Sequence, residues 1–333
     1  MLRLAIVGIG PMGQRHTRQL THCLDGARVV VLSDINTSRA STFASKEHLD
    51  VRVMPSAYDA VAAEDVDAIV VATPTSFHEA IVLASIEAGK PVFCEGPLAV
   101  TSSSARRIID AEIRHGSRCV TVGFTNRNDV GYRALKSALQ DGEIGKALIV
   151  HCAYRTPHVP PEGTYDMALL DALSQEIEVL KWLLADHFVP VQIVEPRRSK
   201  RPSDVIRSPV IALLQTQGGT YVEVEIFFAC PFGYEYRCDV VGETGLGRLP
   251  NASVVRRTSN AFRCDEPLLH FADSIDGGLL EWISSMKAGR PLGPTAWDAY
   301  LALSTIEVCA EAKLYGDVRP VADHAQPAIY ADA

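Results

Sequence analysis

Gly8, Gly10 and Gly13 occupy the fixed positions of a G-x-G-x-x-G run, "GIGPMG", and Asp34 follows 21 residues after the last of them. The run lies between an apolar stretch, "LRLAIV", and a helix-forming one. Gly8 permits a tight turn, Gly10 lets the backbone approach a pyrophosphate, and Gly13 allows close packing of helix on strand. Pro11 and Met12 lie within the run, and the helix N-terminus beyond it faces the phosphate charge. Asp34 closes a second apolar stretch, "VVVLSD", where a carboxylate accepts hydrogen bonds from ribose hydroxyls. This pairing predicts an adenine dinucleotide site. The same carboxylate repels a 2′-phosphate, so NAD is expected rather than NADP. Ile35 joins the predicted cofactor contacts. Arg39 either softens the preference for NAD or is simply a solvated helix residue.

A second acid is placed with similar economy. In "VFCEGPLAV" an apolar strand runs into a tight loop, and Glu95 stands at the turn just before Gly96 and Pro97. Capping of the following turn is one role for such a carboxylate, and a contact in a cofactor loop is another.

These residues need a scaffold, and the patterning supplies one. Up to about residue 123, the apolar runs "LRLAIV", "ARVVVLS", "VRVM", "DAIVVAT", "KPVFCE" and "CVTVGF" alternate with helical stretches at Gly13–Leu24, Thr37–Lys46, Ser76–Ala88 and Ser102–His115. Continuous apolar strands separated by helices indicate parallel strands buried on both faces and joined by right-handed crossovers. The expected first domain, residues 1–123, is a doubly wound α/β Rossmann unit. From residue 124 to 333 the order changes to a long strand ("ALIVHCAYR"), a helix over Met167–Leu184 and alternating strands ("TYVEVEIFFA", "EYRCDVVGE"). That order predicts an α+β domain with a large, open, mostly antiparallel sheet, which binds substrate and mediates oligomerisation. Its C-terminal segment is free to pack back on the first domain. The Val/Glu alternation leaves one sheet face wet or paired with a second copy, so a homodimer or homotetramer is expected. The segment "EPRRSKRPSD" reads as a solvated turn.

Composition excludes several function classes. A chain of 333 residues that is 47% hydrophobic and 22% charged can bury two cores. A formal net charge of −8 with scattered Lys and Arg offers no stripe for nucleic acid. The eight cysteines show no C-x-x-C pair and no His at zinc spacing, so no metal is expected and the thiols read as reduced. No apolar run reaches the roughly 18 residues of a membrane span, and the N-terminal stretch is too short for a signal peptide. The expected location is the cytoplasm, with a small molecule as partner.

Over nearly its full length the chain resembles the Gfo/Idh/MocA family of glucose-fructose oxidoreductase and inositol dehydrogenase. The stretches that carry the resemblance are "AIVGIGPMG", "VVLSDINTSRA", "VVATPTSFHEAIVLASIEAGKPVFCEGPLA", "GFTNRND" and "LLDALSQEIEVLKWLL". It implies cofactor contacts from Thr73, Pro74, Thr75, His78, Glu95 and Gly96, and from Arg127, which also becomes a substrate contact. Two departures matter. The family's cofactor loop reads Glu-Lys-Pro, and Gly96 stands where that lysine would be. The family's Asp-x-Gly-x-His becomes "DALSQ", which keeps the acid as Asp171, replaces glycine by Leu173 and replaces histidine by Gln175. Oxidising an alcohol requires a base able to hold a proton near neutral pH, and an amide cannot. Gln175 can still orient a substrate through hydrogen bonds.

The replacement candidates are Asp171, whose pKa would rise if it were buried beside a nicotinamide ring, and Tyr165, a phenol where the family has glycine. His158, in the loop after "ALIVHCAYRTPH", is a third. Tyr154, His158 and Gln175 are expected to touch substrate. Three functions stay open at this point. One is an NAD-dependent oxidoreductase acting on a polyol, a keto-sugar or an imine. The others are a dinucleotide-binding regulator without activity, and a lyase or glycosidase that uses NAD transiently.

Overall fold

The computed structural model describes residues 1–22, 26–158, 165–196, 209–230, 234–249, 272–289 and 293–331. The chain divides into two compact units, one of residues 1–124, 275–301 and 325–333 and the other of 125–274 and 302–324.

The first unit is built on six parallel strands: β1 (Leu2–Val7), β2 (Ala27–Ser33), β3 (Arg52–Met54), β4 (Ala68–Val71), β5 (Val92–Glu95) and β6 (Val120–Gly123). Their order, β3-β2-β1-β4-β5-β6, reverses direction at β1, and ligands of such sheets bind beyond the carboxyl ends of strands at that reversal. Every residue of β4 is buried, as a strand covered on both faces requires. Helices α1 (Pro11–His22), α2 (Thr37–Lys46), α3 (Ala57–Ala62), α4 (His78–Glu87) and α5 (Ser102–His115) make the connections. The caps follow the sequence: the side chains of Asn36, Ser56 and Thr101 accept from the third amide on, and Gly116 closes α5 in the left-handed region at φ 83°. The stretch Ser76–Ala88, expected as one helix, begins instead with a 3-10 turn over Thr75–Phe77 ahead of α4. The expected end of α1 at Leu24 lies outside the described residues.

Later segments complete this unit. Leu279, Trp282 and Ile283 of α8 (Ala272–Lys287) are buried in the core beside Leu4, Ile6 and Phe93. Tyr330, near the C-terminus and fully buried, stacks on Trp297 at the start of α9 (Ala296–Tyr315) and donates its hydroxyl proton to Glu112 of α5 at 2.5 Å. Burial pushes the Glu112 carboxyl up, and the Tyr330 hydroxyl and the Cys119 and Val120 amides partly offset this.

The second unit carries a seven-stranded sheet of order β12-β11-β7-β10-β9-β8-β13. Its strands are β7 (Ala147–Arg155), β8 (Phe188–Val194), β9 (Val210–Thr216), β10 (Tyr221–Phe227), β11 (Glu235–Gly242), β12 (Leu246–Arg248) and β13 (Arg319–Pro320). Among the described residues, only the β7–β10 pair of this sheet is parallel. Helix α6 (Val130–Gln140) and the long α7 (Tyr165–Leu184) belong to this unit, and Leu173, Ile177 and Leu180 of α7 pack in its core with Val150, Val224 and Cys238. The Val/Glu alternation of β10 sorts as expected, with Val222, Val224 and Ile226 buried and Glu223 and Glu225 half-buried. On that outer face Glu225 and Glu235 both bind Arg155, and His151 pairs with Glu223 at 3.0 Å. Most of "EPRRSKRPSD" lies outside the described residues.

Six cysteines are described, all buried and none in a disulfide. Among the described residues no helix is long and apolar enough to cross a membrane, and no group of three His, Cys, Asp or Glu side chains could hold a metal ion.

Tyr330→Ala removes a fully buried ring and the partner of a buried carboxyl. It is expected to cost this unit about 3–5 kcal/mol, the range for deleting a core aromatic, as measured by urea unfolding of the variant against the unmodified chain.

Candidate functional site

The glycine turn is fixed by contact. A Cβ on Gly13 would lie 1.8 Å from the Gly8 carbonyl oxygen, so only glycine lets α1 start so close to the end of β1. Gly8 itself has φ +93°, and its Cβ would strike the Ala72 carbonyl at 2.6 Å. Gly10 differs: a Cβ there would meet nothing within 4 Å. Its backbone is open for a group to lie against it. Pro11 takes the first helical position, where its missing N–H removes no hydrogen bond, and it is exposed.

Asp34 ties this turn to β2. Its Oδ2 accepts from the Ile9 amide at 2.8 Å and its Oδ1 from the Asn36 amide at 2.8 Å. The Arg39 guanidinium donates to both oxygens, at 2.6 and 2.8 Å. Burial alone would raise the Asp34 carboxyl, but the Arg39 hydrogen bond and the two amides outweigh it and hold the group below the ordinary carboxylate range. Arg39 is therefore not the merely solvated residue that its place on α2 suggested; it is half exposed and bound to Asp34. Ile35, beside it, is 90% exposed, an apolar surface standing open next to the carboxylate.

At the end of β4, Thr73, Pro74 and Thr75 lead into α4. The Thr73 hydroxyl oxygen is buried with no hydrogen-bond partner among the described residues. His78 fastens this segment to the acid-bearing loop: its Nε2 lies 2.7 Å from the Thr73 carbonyl and its Nδ1 3.0 Å from the Pro97 carbonyl. Burial lowers the His78 pKa, and the two carbonyls only partly counter it. The neutral ring donates to one carbonyl at a time, so His78 is a brace in this unit. Glu95 lies against His16 of α1 at 2.5 Å, and the Gly96–Pro97 peptide is cis.

An adenine dinucleotide fits these residues. The open backbone at Gly10, the N–H groups at the start of α1, the Asp34 carboxylate and the partnerless Thr73 hydroxyl are all in the first unit, beyond the carboxyl ends of β1, β2 and β4. The turn also gathers charge complementary to a pyrophosphate.

The second unit places the remaining candidates. Asp171 is exposed on α7, contrary to the expectation of a buried carboxyl, and Gln175 lies four residues on, one helical turn along the same face. The Gln175 Oε1 atom is buried with no hydrogen-bond partner among the described residues. Tyr165 is the first residue of α7, and its side chain lies outside what is described. His158 is exposed after β7, with its carbonyl accepting from the Ala229 amide at 3.0 Å. The Arg127 guanidinium is held by the buried carboxylate of Glu178 and lies 6.0 Å over the Trp182 ring.

Sequence reasoning missed Glu176. It lies on the buried side of α7, within a cluster of phenols from α6, β7 and the region of β11. Burial raises its pKa to about 7, a rise that the Tyr236 hydrogen bond only moderates. Tyr154, across from Tyr236 in the β7–β11 register, packs edge-on to Tyr234 and Tyr236 with ring centroids 6.0 and 6.3 Å apart. The signal available was the charged pair in "QEIE" set among apolar helix residues.

A family model described as "Oxidoreductase family, NAD-binding Rossmann fold" matches residues 2–124, and the GFO/IDH/MocA C-terminal domain matches residues 132–247. The chain belongs to the Gfo/Idh/MocA oxidoreductase family. An inositol 2-dehydrogenase of Serratia proteamaculans is 44% identical over 333 residues, with 99% of each chain covered. That of Azotobacter vinelandii is 42% identical, over 100% of this chain and 99% of its own. The crystal structure of myo-inositol dehydrogenase from Lactobacillus casei, in complex with NAD(H) and myo-inositol, superposes with TM-score 0.92 at 31% identity, covering 99% of both chains. This Gfo/Idh/MocA chain is an NAD-dependent oxidoreductase, and the fold matches the Rossmann and mixed-sheet expectation from its sequence.

Asp34→Ala removes a charge-assisted acceptor worth about 1.5–3 kcal/mol. A roughly 10-fold or greater rise in the Kd for NADH is expected, with a smaller loss for NADPH because Arg39 is released toward a 2′-phosphate. Fluorescence titration with both nucleotides measures it.

Proposed function

We propose that the chain oxidises a secondary hydroxyl of a cyclic polyol of the inositol class to the ketone, with NAD as oxidant. Full-length similarity to inositol 2-dehydrogenases at 44% identity is the observation that carries this reading. Bound NAD supplies the hydride acceptor. The Asp34 carboxylate fits the adenosine ribose, Ile35 offers apolar surface beside it, and the Gly8–Gly13 turn with Pro11 and Met12 fits the pyrophosphate. Thr73, Pro74, Thr75 and Glu95 follow the family's cofactor contacts, while His78 braces their loop.

The substrate side has to work without the family's lysine and histidine. Gly96 carries no cation, so a developing alkoxide is not met by an ammonium at that position. Gln175 supplies an amide whose partnerless oxygen suits a polyol hydroxyl donor. Asp171, exposed on the same helix, is read as the acceptor of a second hydroxyl. Tyr154 and His158 complete the proposed substrate contacts, and Tyr165 remains a candidate by position. Arg127, engaged with Glu178, is read as holding the start of the second unit in place. The loss of the lysine–histidine pair favours one second reading, an imine substrate, whose reduction makes less demand on a positioned base. Homodimer or homotetramer formation through the outer face of the seven-stranded sheet and a cytoplasmic location remain parts of the proposal.

The test is NADH formation by the purified chain with the inositol stereoisomers as substrates. Turnover with at least one stereoisomer is expected, and Asp171→Asn is expected to lower kcat/KM by ~10²-fold or more through lost hydroxyl positioning. No NADH from any cyclic polyol, together with NADH consumption on a cyclic imine, would replace the first reading by the second.

A further inference from the structure

Asp34 is the acid that a ribose has to reach at the dinucleotide turn, yet its side chain is only 2% exposed. Part of the enclosure is backbone. The Asp34 amide donates to the Met54 carbonyl at 3.1 Å, and the Gly8 amide donates to the Ser33 carbonyl at 2.8 Å. The Ile9 amide then donates to Oδ2 and the Asn36 amide to Oδ1, each at 2.8 Å. The rest of the enclosure is the Arg39 side chain. Its Nη2 donates to Oδ1 at 2.8 Å and to Oδ2 at 2.6 Å.

A carboxylate offers about four lone-pair positions, and these four contacts use them. A ribose presents two neighbouring hydroxyls to such an acid. Donors already on Asp34 therefore have to leave, and they are not equally able to. The Ile9 amide belongs to the glycine turn, whose spacing is set by the contact of Gly8 with Gly13. The Asn36 amide lies at the cap of α2, where the Asn36 carbonyl accepts from the Ala40 amide and its side chain from the Arg39 amide. Withdrawing either amide would unmake the turn or the start of the helix. The Arg39 guanidinium is under no such constraint. Its side chain is 47% exposed and reaches Asp34 on a flexible stem.

We propose that Arg39 is a specificity-determining residue of the cofactor site: it holds, on Asp34, the acceptor positions that the adenosine ribose hydroxyls take, so NAD binds by displacing it. The Arg39 backbone stays on α2 when the side chain moves, which keeps the displaced guanidinium within a side chain's length of the ribose. A 2′-phosphate on that ribose would meet it there, and a guanidinium matches a phosphate in charge and in hydrogen-bond geometry. Arg39 thus opposes NAD by competing for Asp34 and assists NADP by pairing with its phosphate. NAD remains the better ligand, because the 2′-phosphate still faces the Asp34 carboxylate.

Arg39→Met keeps an unbranched side chain and removes the charge. The unmodified chain and the variant are titrated with NADH and NADPH by fluorescence, at low and high NaCl, with Tm compared first to verify folding. In Arg39→Met the Kd for NADH should fall ~2- to 5-fold, the scale of a half-exposed ion pair. The Kd for NADPH should rise ~10-fold or more through loss of a charge-assisted phosphate contact. At about 1 M NaCl, where the Debye length is about 3 Å, the difference between the two chains in NADH affinity should shrink toward none. Arg39→Lys keeps the charge without the planar fork and should lie between the two for both nucleotides. A residue that merely packed the site would weaken both nucleotides together on removal. A Kd for NADH in Arg39→Met equal to or above that of the unmodified chain, or an unchanged Kd for NADPH, overturns the inference. These readouts are of binding alone, and the polyol reading is tested separately by turnover.

Discussion

The first unit depends on a close approach: the Gly8 carbonyl oxygen and the Gly13 backbone, too near for any side chain at residue 13. Because α1 begins against the end of β1, its free N–H groups lie at the carboxyl edge of the sheet, and the Ile9 amide is delivered to Asp34 on the neighbouring strand. One steric constraint thus aligns a positive helix end with a carboxylate some distance along the same edge. A diphosphate bridged to a ribose has these two needs.

The second unit answers a different constraint. A mixed sheet covered by a long helix would ordinarily be filled with aliphatic side chains, yet the faces of β7 and β11 toward α7 carry Cys152, Tyr154, Tyr236 and Cys238 around a carboxyl group. Burying Glu176 costs free energy unless it is protonated or fully hydrogen-bonded. The Asn126–Tyr236–Tyr132 arrangement supplies part of the bonding and burial supplies the raised pKa. Burial of this carboxyl therefore costs stability as pH rises through about 7.

Much of this was legible in the sequence. Apolar runs fixed by hydrophobic burial on both faces marked the six parallel strands, and the G-x-G-x-x-G spacing with Asp34 marked the dinucleotide turn, because each glycine there answers a local steric need. Long-range pairing was not legible. That Arg127 is held by Glu178 and that Tyr330 returns to Glu112 depends on tertiary contacts that no local pattern encodes. Asp171 and Glu176 illustrate the same limit: both are acids on α7, and only the packing of α7 shows which is exposed and which is enclosed by phenols. Helix α9 escaped notice because its apolar residues spread around the helix instead of forming one stripe or alternating.

Calorimetric titration of the full chain with NADH tests the central claim most directly. Saturable binding at one site per chain is predicted, with a matching rise in Tm that grows with ligand concentration. A flat titration and an unmoved Tm at millimolar NADH would contradict the account.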